Sequence, residues 1–348
     1  MKKINVLLTG LLISSLIFTG CKKDVKTTEP GDYENGIFVV NETMTNSSIS
    51  YLSEDYSAVE NGIFNKVNGE SLGDQAQSIT LNGDNAYIMV SNSNKIEVVD
   101  KNTMEKKVTI ASQLIKPRYM AAVDGNIGFI SCWGDTGDDN DDYVAILNTT
   151  NNSVISQLSV PLGPEKIIAD DSYAYVAHKG AWGNNNIVSV IDLGSRQISN
   201  TIQVSDKPES MVLENHFLWV LCTGTAWGTE TAGALYKIDI DNNFSIVQQF
   251  QFAVTQHPQN LSYDNGKLYY YLDNQVFKMD SNDTSLPSNV FIDNVPAYNM
   301  SAKDGKLYVT DAKNYTSEGD IIIYDLSTAT EITRKTLGII PGDISFNF

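Results

Sequence analysis

One sequence unit recurs along residues 34–348 and constrains the fold more than any other feature. It consists of an X-Pro step, a short apolar strand, a tight turn, an apolar and aromatic second strand, a variable loop and two further strands. Residues 207–239 carry its first three strands, and a proline-free equivalent begins at Asp74-Gln75-Ala76. The prolines that begin the other units are Pro117, Pro164, Pro208, Pro258, Pro296 and Pro341.

The length of the unit identifies the architecture. Successive anchors lie about 40 to 50 residues apart, the period of a four-stranded propeller blade. The strands are rich in β-branched and aromatic residues and are bounded by turns such as Asn265-Gly266, and no helical period competes with them. Seven anchors therefore predict an all-β protein, a seven-bladed β-propeller.

The order of the strands predicts how the ring closes. The repeats begin at a second-strand position, Gly36 to Asn41, and end at a first-strand position, Pro341 to Phe348. We expect the C-terminal strand to complete the N-terminal blade, because this pairing covers two sheet edges that would otherwise be open to aggregation.

The first residues resemble a bacterial lipoprotein signal. Lys2 and Lys3 precede an apolar run over residues 4–18, which is too short to span a bilayer and ends in Thr19-Gly20-Cys21. This pattern predicts a signal peptide over residues 1–20, a lipidated Cys21 with a flexible tether to residue 33, and the propeller over 34–348. The expected location is the outer membrane, lipid-anchored and facing the cell exterior. An ordinary signal peptide with an incidental cysteine is the alternative.

Charge and cysteine content limit the partners. The chain has 24 Lys and Arg against 42 Asp and Glu, a formal charge of −18. Such an excess of acid argues against nucleic acid and against anionic membrane surfaces, so the lipid is the only expected membrane contact. Besides Cys21 there are only Cys132 and Cys222, which we interpret as small buried residues and not as a disulfide or a metal pair.

The two ends of the propeller differ in sequence. When the strands of a blade are lettered A to D from the centre outward, the A–B and C–D turns are short, whereas several B–C loops are long. Three of the four tryptophans lie in B–C loops, each followed by glycine, and long aromatic loops on a rigid scaffold are typical of binding sites. The predicted ligand-binding residues, from these loops and the D–A corners, are Asn41, Glu42, Asp74, Gln75, Arg118, Tyr119, Trp133, Glu165, Lys179, Trp182, Glu209, Trp227, His257, Gln259, Tyr298 and Tyr315.

Other motifs are weak. The run Asp135–Asp142 could collect oxygen ligands for calcium, but it lacks the EF-hand spacing, and a solvated acidic loop is the favoured interpretation. The three histidines form no metal-binding pair, and no phosphate or dinucleotide motif is present, so neither a metal nor a cofactor is expected. An enzyme would have to assemble its site from several blades, and the candidates are Arg118, Glu165, Glu209 and His257.

The repeats also carry a family resemblance. The unit Lys207–Val212, followed by an apolar strand and an Ile-Asp step, is similar to YncE-like and surface-layer-type propeller repeats. Residues 35–42, 72–78 and 338–342 resemble the surface lipoprotein propellers of Bacteroidota, including the BtuG-type proteins. The resemblance implies capture of a corrinoid such as cobalamin and its transfer to a TonB-dependent outer-membrane transporter. A protein- or glycan-binding scaffold and a lactonase-like hydrolase are the alternatives.

Overall fold

The computed structural model describes residues 33–123 and 126–348. The predicted signal peptide, the lipidation site Cys21 and the predicted tether up to residue 32 lie outside the described residues. Within them the chain forms 27 strands and one short helix, α1 (Ile63–Asn68). No helix in this part of the chain is long and apolar enough to cross a membrane.

The strands form seven separate antiparallel sheets, which we number as blades I to VII. Blade I has β27 (Pro341–Asn347), β1 (Gly36–Asn41), β2 (Ser48–Ser53) and β3 (Val59–Asn61); blade II has β4 (Ala76–Asn82), β5 (Asn85–Val90), β6 (Lys95–Asp100) and β7 (Lys106–Ile110); blade III has β8 (Pro117–Val123), β9 (Ile127–Cys132), β10 (Tyr143–Asn148) and β11 (Ser153–Ser159); blade IV has β12 (Pro164–Ala169), β13 (Tyr173–His178), β14 (Ile187–Asp192) and β15 (Gln197–Gln203). Blade V has β16 (Pro208–Glu214), β17 (Phe217–Cys222), β18 (Ala234–Asp239) and β19 (Ser245–Gln251); blade VI has β20 (Gln259–Asp264), β21 (Lys267–Leu272) and β22 (Gln275–Asp280); blade VII has β23 (Asn299–Lys303), β24 (Lys306–Asp311), β25 (Glu318–Asp325) and β26 (Thr330–Ile339).

The seven-bladed ring predicted from the repeat is confirmed. The innermost strands β4, β8, β12, β16, β20, β23 and β27 each contact the next one around the ring, and β27 contacts β4. The closing pair also forms as expected: β27 runs antiparallel to β1, with Pro341 opposite Asn41 and Phe346 opposite Ile37. The two ends of the described chain therefore share one sheet.

A ring of aromatic side chains fills the space between the blades. In all seven blades the second strand has an aromatic residue at its third position, and each of these side chains is at most 3% exposed. An aromatic ring buries a large apolar area with few rotatable bonds, which suits the wedge between two splayed sheets. Trp219 is one of them, so the fourth tryptophan belongs to the core. The seven residues are Phe38, Tyr87, Phe129, Tyr175, Trp219, Tyr269 and Tyr308.

Blade VI differs from the expected four strands, because it has three. The segment that should form its outer strand is polar and contains Pro287, which has no backbone N–H to donate. The edge of β22 is covered instead by a single bridge, in which the N–H groups of Phe291 and Ile292 donate to Val276 O over 2.9 and 3.1 Å. Phe291 and Ile292 then pack on the core between blades VI and VII.

The two described cysteines are free and buried. Cys132 ends β9 and Cys222 ends β17, and neither exposes any surface. Burial in apolar surroundings raises the pKa of both thiols, which keeps them protonated and weakly reactive at neutral pH.

Deleting Asp343–Phe348 should prevent cooperative folding. The deletion removes most of β27, including Ile344 and Phe346, and so leaves β1 without most of its inner partner and uncovers the core residues Ile37 and Val39 against which those side chains pack. Soluble yield and a thermal melt followed by circular dichroism measure the effect. Deleting Phe348 alone, which lies beyond β27, is the control and should retain a cooperative melt. A soluble, cooperatively melting 343–348 deletion would show that closure does not depend on this strand.

Candidate functional site

A repeated backbone hydrogen bond positions the residues at one end of the propeller. In five blades the residue just before the innermost strand has a left-handed backbone, and its carbonyl oxygen accepts from the N–H of the first residue after the second strand. We call this hydrogen bond the corner clamp. The clamps are Glu42 N to Ile340 O (2.8 Å), Ser91 N to Gln75 O (2.9 Å), Trp133 N to Lys116 O (3.2 Å), Lys179 N to Gly163 O (2.9 Å) and Thr223 N to Lys207 O (3.0 Å).

A β-bulge follows the corner in six of the innermost strands. In β8, for example, Pro117 pairs with Cys132 but Met120 pairs with Ile130, so two residues lie opposite one. A bulge breaks the alternation of a strand and lets neighbouring side chains point to the same side. The bulged positions therefore place polar side chains toward the channel. These side chains are Gln77, Arg118, Tyr119, Glu165, Lys166, Glu209, Asn260 and Asp343.

Clamps and bulges together surround a cavity of about 690 Å³ at the channel mouth. Its volume is in the ordinary range for sites that bind small molecules. Most of the residues predicted from sequence line it. They are Glu42, Gln75, Arg118, Tyr119, Trp133, Glu165, Lys179, Trp182, Glu209, Gln259, Tyr298 and Tyr315.

The other four predicted residues lie outside the cavity lining. Asn41 is fully buried inside blade I, where its amide donates to Ser48 and Ser50 Oγ over 2.9 Å. Asp74 accepts from the backbone N–H of Asn46 and so holds the β1–β2 loop (3.2 Å).

His257 and Trp227 belong to neighbouring segments on the same end of the molecule. His257 hydrogen-bonds to Thr223 O (2.9 Å) and Glu230 Oε1 (3.2 Å). Trp227 stands on the β17–β18 loop, 88% exposed and apart from the cavity. The corner residues Arg118, Glu165 and Glu209 do reach the cavity, but His257 does not join them.

A buried ion pair forms the floor beside blades III and IV. Arg118 Nε and Nη2 donate to the two carboxylate oxygens of Glu165 over 3.0 and 2.8 Å, and both residues are less than 10% exposed. Burial has the largest single effect and raises the pKa of Glu165, but the charge and hydrogen bonds of Arg118 together with the charges of Lys179 and Lys166 outweigh it, so the pKa lies below its usual value. Glu165 is thus an ionised, geometrically fixed carboxylate.

Aromatic rings rise from this floor toward solvent. The guanidinium carbon of Arg118 lies 3.9 Å from the ring centre of Trp133, and Trp133 meets Trp182 edge to face at 5.9 Å. On the opposite side Tyr298 and Tyr315 meet at 5.8 Å. Trp182 is 81% exposed and Tyr315 is 56% exposed, so each side of the cavity carries one aromatic ring that is largely open to solvent.

Glu42 lies between the two aromatic sides and keeps its proton unusually well. Burial raises its pKa to about 7, and this outweighs the opposing effects of the Tyr298 hydrogen bond (3.0 Å), of Arg118 and of Lys166, while Asp343 adds to the rise. Near neutral pH this carboxyl group can therefore either donate or accept a hydrogen bond.

Sequence reasoning missed several polar residues of the lining, above all Lys116 and Lys166. Lys166 Nζ lies 3.9 Å from the Tyr119 ring centre and 3.5 Å from Asp343 Oδ1. In a regular strand the side chain of Lys166 would point away from the channel, because its neighbour Glu165 points toward it. The bulge in β12 directs both side chains to the channel. The usable signal was the repeated pair of polar residues after the X-Pro step, as in Pro164-Glu165-Lys166.

Two carboxylates of the acidic run Asp135–Asp142 accept backbone N–H groups, one from within the run and one from the segment before β12. Asp141 Oδ2 accepts from Asp135 N (2.8 Å) and Asp142 Oδ2 accepts from Gly163 N (2.6 Å). Among the described residues, no three His, Cys, Asp or Glu side chains lie close enough to hold a metal ion.

Comparison with known proteins identifies the fold and a sequence family. The profile of a family described as a domain of unknown function, DUF5074, matches residues 35–333. A quinonprotein alcohol dehydrogenase-like protein from Bacteroides thetaiotaomicron VPI-5482 has a similar structure, with a TM-score of 0.69, 14% identity, and coverage of 91% of this chain and 79% of that one.

Two further solved structures share the architecture. A functionally unknown protein from Desulfotomaculum acetoxidans DSM 771 gives a TM-score of 0.64 at 13% identity and covers 90% of this chain and 98% of its own. The hydrazine synthase of Kuenenia stuttgartiensis gives 0.58 at 17% identity, with 77% and 88% covered. At these identities the likeness establishes the fold alone. No curated protein matches the chain.

Removing one partner of the buried ion pair should destabilise the protein. Arg118→Met leaves the Glu165 carboxylate buried without its counter-charge, so the free energy of unfolding should fall by about 3 kcal/mol. The double variant Arg118→Met/Glu165→Met should lose less than the sum of the two single changes. Urea denaturation of the four proteins measures the coupling, and additive losses would show that the pair acts as two independent side chains.

The stability contribution of Glu42 should depend on pH. The folded protein holds this proton up to about pH 7, whereas the unfolded carboxyl group releases it near 4.5. Between these values the folded state binds more protons, so the free energy of unfolding falls as pH rises and levels off above pH 7. Glu42→Gln should remove roughly 2 kcal/mol of this fall between pH 5 and 8, measured by urea denaturation.

Glu105→Gln is the control for this measurement, because it removes one carboxyl group at an exposed position far from the cavity. A stability difference between wild type and Glu42→Gln that stays constant from pH 5 to 8 would contradict the expected proton uptake.

Proposed function

The chain belongs to the DUF5074 family, a domain of unknown function, and we propose that it is a non-catalytic binding protein that captures a corrinoid such as cobalamin at the channel mouth. The observation that carries the proposal is the pair of exposed aromatic side chains, Trp182 and Tyr315, on opposite sides of a polar cavity. Apolar rings exposed to this extent cost solvation free energy unless a ligand covers them.

The shape and chemistry of the cavity suit a broad conjugated ligand. A corrin ring is a disc with amide arms around its edge. Its faces can pack on Trp182 and Tyr315, while amide arms can hydrogen-bond with groups deeper in the cavity, such as Gln75, Asn260 and Gln259. A cavity of about 690 Å³ that opens among loops can hold part of such a ligand and leave the rest at the rim.

The side chains that an enzyme would need as acid or base are already hydrogen-bonded within the protein, and this favours a binding function over catalysis. Glu165 is held by both of its oxygens against Arg118, and His257 is engaged with Glu230 outside the cavity. Glu209 accepts from the backbone N–H of Asn260 over 3.0 Å. Glu165, Glu209 and His257 are thus each engaged by a partner within the protein, which leaves none of the three free to act as a general base.

We extend the proposal to the cellular setting. Residues 1–21 resemble a lipoprotein signal that ends in Cys21, and a lipid on this cysteine would anchor the propeller to the outer membrane. A captured corrinoid would then pass to a TonB-dependent transporter in the same membrane, the partner that the BtuG-type resemblance implies.

Titration of the purified protein with cyanocobalamin tests the ligand, with binding followed by calorimetry and by the visible absorption of the corrin. Wild type should bind, and Trp182→Ala should raise the Kd about tenfold because one aromatic contact is lost.

Trp227→Ala is the matched control, since this tryptophan is equally exposed on a neighbouring loop but does not line the cavity. It should leave the Kd within about twofold, well under the effect of one stacking contact. Absence of both heat and a spectral change with wild type would refute the corrinoid, and equal weakening by the two variants would refute the cavity as its site.

A further inference from the structure

The cavity concentrates cations in an acidic protein. Acidic residues outnumber basic ones by 42 to 24 over the whole chain, yet the cavity lining contains four cations and four acids. The cations lie on blades III and IV and on the segments next to them. They are Lys116, Arg118, Lys166 and Lys179.

Three of these cations have partners within the protein. Arg118 pairs with Glu165, Lys166 Nζ lies 3.5 Å from Asp343, and Lys116 Nζ donates to Asn92 Oδ1 over 3.0 Å. Lys179 Nζ has no hydrogen-bond or ion-pair partner among the described residues, although its charge is close enough to lower the pKa of the Glu165 carboxyl.

A neighbouring cation, Lys207, makes the unpaired charge of Lys179 less favourable. Lys207 Nζ donates to Gly183 O over 2.8 Å on the same loop that carries Lys179. Burial lowers the pKa of Lys207, and repulsion from Lys179 lowers it further, against the opposing attraction of Asp206. Two like charges held near each other cost free energy that an anion beside Lys179 would recover.

The backbone fixes where Lys179 stands. Its N–H forms a corner clamp with Gly163, and Gly180 follows with a φ of 88° that favours glycine. A Cβ at Gly180 would also collide with the backbone of Asn184 and Asn185. The loop is therefore shaped by local packing, and it places Lys179 and Trp182 on the wall of one cavity.

We propose that the ligand carries an oxyanion, a carboxylate or a phosphate, which binds Lys179 while the adjoining ring system packs on Trp182. This inference rests on the proposed function, because it assigns a charge to the molecule that the same cavity takes. The proposal also sets the orientation of the ligand. The anionic end of the ligand lies at blade IV, and its neutral polar groups lie beside Glu42 and Tyr298.

A pair of fluorescent probes separates the charge from the rings. Anilinonaphthalene sulfonate is an aromatic anion, and phenylnaphthylamine has the same rings without the sulfonate. Lys179→Gln should raise the Kd for the sulfonate about five- to tenfold, the loss of one charge-assisted contact, and leave phenylnaphthylamine unchanged. Lys335→Gln, on the outermost strand of blade VII, is the matched lysine control and should change neither.

Trp182→Ala makes the two proposals distinguishable. It should weaken both probes, because both present rings. If Trp182→Ala weakens neither probe, the cavity is not the aromatic site and the proposed function fails. If Trp182→Ala weakens both but Lys179→Gln leaves the sulfonate unchanged, or weakens both probes equally, only the oxyanion site is overturned. Failure of wild type to bind the sulfonate at all overturns it as well.

Discussion

The corner clamp is the interaction on which the site depends. It ties the first residue of a B–C loop to the carbonyl just before the innermost strand, so the start of each loop is fixed relative to the channel in five blades. Its acceptor residue is left-handed even where it is not glycine, as at Lys116 and Ile340, and this conformation costs about 1 kcal/mol or more. The hydrogen bond offsets that cost, and it holds Glu42, Trp133 and Lys179 at equivalent places around one opening.

The bulge that follows the clamp explains how a sheet edge becomes a polar floor. A regular strand would direct every second side chain into the channel and the others into the space between blades. With one extra residue, β8 directs both Arg118 and Tyr119 to the channel, and β12 does the same with Glu165 and Lys166. The ion pair between blades III and IV forms because two such bulges lie side by side. The scaffold thus supplies adjacent polar positions, and the sequence of each blade decides their charge.

Repeat spacing was sufficient to predict the seven blades and the closure by β27, because both follow from the order of strands along the chain. It also located the loops that surround the cavity. It did not predict the three-stranded blade VI, since Phe291 and Ile292 replace a strand by one bridge that no period marks. Nor could it separate Trp182 from Trp227, which share a loop type and a Trp-Gly step. Whether such a loop leans over the channel or away from it depends on packing against neighbours, and sequence spacing does not record that.

A propeller is close to symmetric, but its ligand need not be, and the distribution of charge here breaks the symmetry. Equivalent clamp positions carry Glu42 in blade I and Lys179 in blade IV, on different sides of the ring. Equivalent bulge positions likewise carry Asp343 in one blade and Lys166 in the other, and these two side chains approach to 3.5 Å across the channel floor. Equivalent backbone positions therefore present a carboxyl group on one side of the cavity and the cation of Lys179 on the other. A molecule bound there would experience a field along its length, and this field would select one orientation where a symmetric pocket would allow several.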